Sequence, residues 1–200
     1  MNNPYDQTAG LSLDPMLIDI VFPDYEFKGQ RGITIHASPA QIFSAIRTVT
    51  LADMPIAAAL IWLRYLPGRL SGAVQSQTSE MKPALEETLK GMIVLAEKPD
   101  RELVLGAIAR LHQIVDQDSQ PVYSREAFEM FADPAYQKYV IDVRLTGAFP
   151  RAGCRLTIDH RLHALSETSR RQFARYWLVI GLVSWFMLGI LLGAIKRRAE

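Results

Sequence analysis

The order of elements along the chain predicts an α+β fold: a curved antiparallel sheet, helices gathered at one end of it, and one long helix across one face. Three observations predict it. An alternating segment from Tyr25 to His36 runs into a capping box, Ser38-Pro39-Ala40-Gln41, so a half-buried strand feeds a helix with proline at its first position. Two later pairs of β-patterned segments are each joined by a short Pro-containing turn, which makes each pair an antiparallel hairpin. Last, Trp177 to Ile195 is a run of nineteen residues without a charge, fifteen of them apolar, inside a helix that starts near Ser166.

Taken in order, residues 1–20 are rich in Asn, Asp, Pro and Ser and read as a flexible arm. In the first strand Tyr25, Phe27, Ile33 and Ile35 point one way, and Glu26, Lys28, Thr34 and His36 the other. Gly29 and Gly32 allow a bend or bulge midway. After the capping box, Ile42, Phe43, Ile46 and Val49 fit helical spacing. A second helix is expected from Asp53, as its cap, to Leu66, where Pro67-Gly68 stops it; Trp62, Tyr65 and Leu66 can reach a core or cavity. Residues 71–80 read as a loop and 83–90 as a short helix closed by Gly91. Strands at 92–97 and 102–112 flank the turn Lys98-Pro99-Asp100. A capped helix at 124–131 ends at Asp133-Pro134, strands follow at 137–149 and 155–165, and the final helix begins at Ser166-Glu167.

The chain carries a formal net charge of +1, with 49% hydrophobic and 22% charged residues. That near-neutral balance excludes a dedicated nucleic-acid binder, which needs a concentrated basic face. The clusters Arg170, Arg171, Arg175 and Lys196, Arg197, Arg198 flank the apolar run and suit a membrane surface better. The single cysteine, Cys154, excludes an internal disulfide and a cysteine-based metal site; it reads as a bland thiol in a turn. No signal peptide is evident at the start, since residues 11–22 hold Asp14, Pro15 and Asp19, so the globular part is expected in the cytoplasm.

Nineteen helical residues span about 28 Å, close to the roughly 30 Å of a bilayer's hydrocarbon. Eleven of them are Leu, Ile, Val or Phe, which contribute roughly −3 to −7 kcal/mol toward insertion. Trp177 sits at one edge as an interfacial aromatic would, and the basic residues 196–198 close the other. A transmembrane anchor formed by Trp177, Leu182, Trp185, Leu188, Leu192 and Ile195 is therefore expected, followed by a basic tail at 196–200. The alternative is a soluble protein whose last helix is buried in the domain or an oligomer. Three basic residues flank each end, so the positive-inside bias nearly cancels. Gly189 and Gly193 form a GxxxG pair through which two copies can approach.

Three stretches carry a resemblance to a known superfamily. Ala37-Ser38-Pro39-Ala40-Gln41-Ile42-Phe43-Ser44-Ala45-Ile46, following the first strand, resembles the opening of START-like, or SRPBCC, proteins, among them polyketide cyclases, lipid-transfer domains and Bet v 1 allergens. The stretches from Gly91 to Gly106 and from Ser169 to Trp177 are similar to motifs in uncharacterised bacterial SRPBCC proteins. The resemblance covers roughly residues 20–200, with the START-like domain expected at 21–176. It implies a helix-grip fold, in which the sheet wraps the long C-terminal helix around a cavity for an apolar ligand. No activity is implied, because this superfold hosts binders, transporters and enzymes alike. One departure stands out: Leu178, Leu182, Val183, Trp185, Met187, Leu188, Leu191 and Leu192 leave the last helix no polar face.

Little in the chain speaks of catalysis. On alternation Leu156, Ile158, His160 and Leu162 share one strand face, which aims His160 at the cavity as a polar anchor or proton-transfer group; a core histidine bonded to backbone is the bland alternative. His163 falls on the opposite face, so the two cannot share a metal. HExxH, CxxC, paired-carboxylate, phosphate-loop and GxSxG motifs do not occur, and neither a metal nor a cofactor is expected. Arg31 stands on the face of Ile33 and Ile35, where it can meet an acidic ligand or Asp142, or reach the surface. Asp142 and Arg144 read as a solvated cross-strand network. The cavity-lining candidates are Trp62, Leu103, Leu105, Tyr139, Ile141, His160, Phe173 and Trp177. The leading expectation is a non-enzymatic, membrane-tethered binder of a lipid, quinone or similar molecule; the alternative is a cyclase or dehydratase using His160.

Overall fold

The computed structural model describes residues 15–60, 92–110, 119–120, 123–148 and 152–200. Trp62, Tyr65, Leu66, the segments expected at 71–90, and His112 lie outside the described residues. Among the described residues six strands form one sheet: β1 (Phe27–Ile35), β2 (Ile93–Lys98), β3 (Glu102–Ala109), β4 (Ser119–Gln120), β5 (Gln137–Ala148) and β6 (Gly153–Ala164). Their order is β1-β6-β5-β3-β2, with β4 against the far end of β3, and every described pairing is antiparallel. Accompanying them among the described residues are the helices α1 (Leu17–Val21), α2 (Pro39–Thr48), α3 (Arg125–Met130) and α4 (Glu167–Ala199), the last 33 residues long. Residues 55–60 are also helical. The α+β class with a long C-terminal helix across an antiparallel sheet is the observed architecture.

Local chemistry sets the element boundaries. Ser38 Oγ accepts from Gln41 N at 3.4 Å while Gln41 Oε1 accepts from Ser38 N at 2.9 Å, the reciprocal capping box expected there. Ser124 and Ser166 cap α3 and α4, each accepting at 3.1 Å from the N–H three residues on. Asp53 departs from expectation. Its carboxylate turns back to Thr50 N at 2.8 Å and closes a short turn over Leu51–Asp53, so the helix at 55–60 opens after Met54 with Pro55 at its head. Glycines 29 and 32 make no bulge: β1 pairs β6 without a break from Phe27↔Leu162 to Ile35↔Cys154. Strand β1 starts two residues later than expected, because a bend at Glu26 turns Tyr25 to the other face, with its ring 4.5 Å from the Arg161 guanidinium.

Both faces of the sheet are covered. On one, Ile35, Val143, Leu145, Leu156 and Ile158 meet Ile42, Phe43 and Ile46 of α2 and Leu192, Ala194 and Ile195 of α4. On the other, Val104, Ile108 and Val140 meet Ile18, Phe22 and Phe128. The latter face corrects two expectations. Residues 17–20, read as part of a flexible arm, lie in α1, because Ile18 and Phe22 stand one turn apart and bury together on the sheet. Asp142, read as solvated, is 1% exposed, because α1 and its flanks close over it.

Under α1 lies a layer of buried charge. Glu102 Oε1 accepts the N–H of Leu17 at 2.7 Å, at the N-terminal turn of α1 where a carboxylate is favoured. Arg161 donates to Asp19 Oδ1 at 2.5 Å and to the carbonyl of Phe22 at 3.3 Å, so one guanidinium ties down the middle of α1 and its C-terminal cap. Asp159 pairs with Lys28 at 3.0 Å and with Arg161 at 3.6 Å. Asp142 stands opposite Asp159 across β5 and β6. Burial pushes its pKa up to about 7, helped by the negative charges of Glu102 and Asp159 and opposed by Arg144 and Arg161.

Helix α4 is held at both ends. At its start the Ser169 hydroxyl accepts from the side-chain amide of buried Gln137, and Phe173 is buried. At its end Lys196 donates to Thr34 O at 2.8 Å, Arg197 to Asp53 O at 3.1 Å, and Arg198 to Thr48 Oγ1 at 3.0 Å and Asp53 Oδ2 at 2.8 Å. Glu200 Oε1 accepts from His36 N at 2.8 Å. The end of α4 is thus fastened to β1, α2 and the segments on either side of α2.

Two outcomes are expected. Leu192→Ala removes a side chain packed between α4 and the sheet and costs about 2–5 kcal/mol, read by denaturant unfolding. Asp142 binds a proton in the folded protein up to about pH 7 and in the unfolded chain only to about pH 4, so its share of stability is present at low pH and lost as pH rises through 7. Asp142→Asn therefore melts increasingly above the parent as pH is raised from 5 to 8; a constant gap contradicts the assignment.

Candidate functional site

The face that α4 crosses carries the chemistry. Strand alternation places Leu103 and Leu105 on β3, Tyr139 and Ile141 on β5, and His160 on β6 along one row: Ala107 faces Tyr139, Leu105 faces Ile141, and Ile141 faces His160. Over this row lies the first half of α4. The His160 ring is 5.7 Å from that of Trp177 and 6.1 Å from that of Tyr139. Phe173 lies 5.7 Å from Trp177, and Phe27 of β1 closes the group at 4.8 Å from Phe173 and 5.9 Å from Trp177. Of the cavity candidates, the structure thus brings Tyr139, Ile141, His160, Phe173 and Trp177 together, with Leu105 and Leu103 on the neighbouring strand. Trp62 is outside the described residues.

His160 is the polar centre of this aromatic group. It is buried, and its Nε2 has no hydrogen-bond partner among the described residues. Burial holds its pKa below the usual 6.5, with Asp159 opposing weakly from the other face of the strand, so the ring is neutral near pH 7. A neutral imidazole nitrogen offers one hydrogen bond, as donor or acceptor by tautomer. Burial likewise pushes the Tyr139 phenol up, so it remains a neutral hydroxyl. The imidazole fits because its partner across the ladder is Gly29: a Cβ there would collide with the ring. Sequence reasoning missed both Gly29's role and Phe27's; a glycine facing a histidine across a strand pair was the available signal.

His163 lies on the α1 face, its Nδ1 3.3 Å from Glu26 Oε1, so the two histidines are apart as expected. Arg31 lies on the α4 face and away from Asp142. Its guanidinium stacks 3.8 Å from the Trp185 ring, donates to the Trp185 carbonyl at 2.8 Å, and fills the gap beside Gly189, where a Cβ would collide with it. Gly189 therefore has an intramolecular partner. Cys154 is a free, buried thiol in the core under α4. Among the described residues no group of His, Cys, Asp and Glu is arranged to hold a metal ion.

The residues expected to anchor α4 in lipid divide by face. Leu182 and Trp185 are exposed, Trp177 belongs to the aromatic group, Leu188 packs against the core, and Leu192 and Ile195 are buried in it. Over Ile180–Ala199 the helix has a mean hydropathy of 1.6 and is 17% buried, long and apolar enough to cross a membrane.

No protein-family model matches the chain, and no curated protein matches it. Among solved structures, the crystal structure of Ara h 8.0201, a Bet v 1-family allergen, is similar at 12% identity over 86% of this chain and 97% of that one, with a TM-score of 0.26. The assignment of the fold rests on the sheet order and on α4, not on that likeness.

Gly29→Ala is expected to displace the His160 ring and to cost about 1–3 kcal/mol of stability through overpacking. A two-dimensional spectrum of the imidazole protons should then move His160 and leave His163 in place; an unchanged His160 signal refutes the slot.

Proposed function

We propose that this chain is a START-like domain that binds an apolar small molecule between its sheet and the first half of α4, with His160 as the polar anchor, and that α4 brings it to a lipid bilayer. One observation carries the reading. A buried imidazole nitrogen without a partner costs about 1–3 kcal/mol, and this one lies at the slot left at Gly29, in a ring bordered by Tyr139 and Trp177, so an apolar body with one hydroxyl or carbonyl would satisfy it. The sequence resemblance to SRPBCC proteins supports the same reading. Contact with a bilayer gives a lipid or a quinone a short path from membrane to site.

A cyclase or dehydratase using His160 has less support. General acid–base chemistry wants a second titrating group in reach, and the carboxylates Asp142 and Asp159 stand on the opposite face of the sheet. Tyr139, whose ring lies 6.1 Å from that of His160, is kept protonated by its burial.

The test is lipophile binding. Protein purified under mild conditions is extracted and the extract read by mass spectrometry, and purified protein is titrated with palmitate and with a short-chain ubiquinone by thermal shift. An apolar molecule bearing an oxygen head group is expected, and His160→Phe should lower its affinity about tenfold, the value of one hydrogen bond. The unliganded variant should melt no lower than the parent, since it loses an unsatisfied nitrogen. Equal binding by parent and variant, or no binding by either, overturns the reading.

A further inference from the structure

We infer that α4 lies lengthwise on an anionic bilayer surface, its outer stripe dipped into the interface, and does not cross the membrane. The inference rests on the lipid-facing part of the reading above and narrows it to one mode of contact. Leu178, Leu182, Trp185 and Phe186 recur at helical spacing on one face of α4 and are 82%, 76%, 49% and 47% exposed. Arg171 and Arg175 continue that face toward the start of the helix. Between Glu167 and Glu200 the helix holds no acidic residue at all.

Arg171 on this face is paired with Glu167 at 2.8 Å, but two guanidinium groups further along it have no carboxylate among the described residues. Arg175 is exposed and has no carboxylate in salt-bridge reach among the described residues. Arg31 reaches the same face from β1, where its acceptors are the ring and the carbonyl of Trp185. An exposed apolar stripe with a tryptophan, a phenylalanine and unpaired guanidinium groups beside it is the composition of a helix that rests in the headgroup region, its arginines on lipid phosphates.

The other faces of the helix decide between resting and crossing. A spanning helix is surrounded by lipid, whereas Leu192, Ala194 and Ile195 are buried in the core and Lys196, Arg197 and Arg198 are bound to Thr34, Thr48 and Asp53. Crossing would strip those contacts and carry three cations through hydrocarbon. A second copy of the chain fits the stripe less well. It would present the same apolar and basic set, in which Glu167 is already paired with Arg170 and Arg171.

Full-length protein is floated with vesicles of phosphatidylcholine alone, and with vesicles of phosphatidylcholine and phosphatidylglycerol in equal parts. Bound protein is then washed with alkaline carbonate. The expected result is flotation with the anionic vesicles, weakened by salt, and release by carbonate. The paired substitution Leu178→Asp with Leu182→Asp should cut the bound fraction at least tenfold while circular dichroism and melting stay as in the parent, because both side chains are exposed. Arg175→Glu should weaken binding to the anionic vesicles only. Resistance to carbonate shows a crossing helix and overturns the inference while leaving the bilayer reading intact. Failure to float with either vesicle overturns both. A concentration-dependent dimer that the double substitution abolishes, without flotation, assigns the stripe to a second copy and overturns the inference too. Lipophile binding, measured separately, is indifferent to all three outcomes.

Discussion

The docking of α4 at its two ends is the constraint on which the remaining arrangement depends. At the far end apolar burial and ionic attachment act together: Leu192, Ala194 and Ile195 enter the core beside α2, and the four residues Lys196, Arg197, Arg198 and Glu200 then reach Thr34, Thr48, Asp53 and His36. The individual ion pairs are half-exposed and each contributes little. Their effect is geometric, since they fix how far the helix can rotate or slide on the sheet. With both ends held, Phe173 and Trp177 are kept over His160, Leu178 and Leu182 are left exposed, and Trp185 is left half-exposed beside Arg31.

The two faces of the sheet are built on different physics. The α4 face is largely apolar, with His160, Arg31, Gln137 and the Tyr139 hydroxyl as polar groups, and its specificity comes from ring shapes and from the missing side chain at Gly29. The opposite face buries Glu102, Asp142, Asp159 and Arg161 beneath a helix of five residues. Buried ion pairs are a poor source of stability when compared with a hydrophobic alternative, yet removing one partner is costly. That face therefore holds α1 in one place at the expense of tolerance. A short helix with two buried apolar residues has few other ways to be positioned.

Much of the site was legible in the sequence because period-two alternation assigns faces without knowing what packs on them. That rule alone puts Tyr139, Ile141 and His160 on one face and His163 on the other, as the ladder has them. The serines at 38, 124 and 166 marked helix starts because capping is a local interaction. The rest depends on contacts between distant residues. Alternation placed Asp142 on the polar face, but whether that face meets water depends on α1, more than a hundred residues earlier. Composition made residues 177–195 apolar on every side, but which sides meet protein depends on β1 and α2. Gly29 read as a bend because its reason, the ring of His160, is far off along the chain.

The contact from His36 to Glu200 joins residues 164 apart in sequence. It belongs to a set that also includes the whole β1–β6 ladder, so the first strand finds its neighbour only when the last strand exists. Such topology has a high contact order, and loop-closure entropy must be met before these pairings contribute any free energy. Folding of this chain therefore belongs among the slow ones for its size. Until β6 arrives, β1 has an open edge, and the apolar surface of β5 and β3 is uncovered by α4. Slow closure at the seam between β1 and β6 sets the period during which the nascent domain is most prone to associate wrongly.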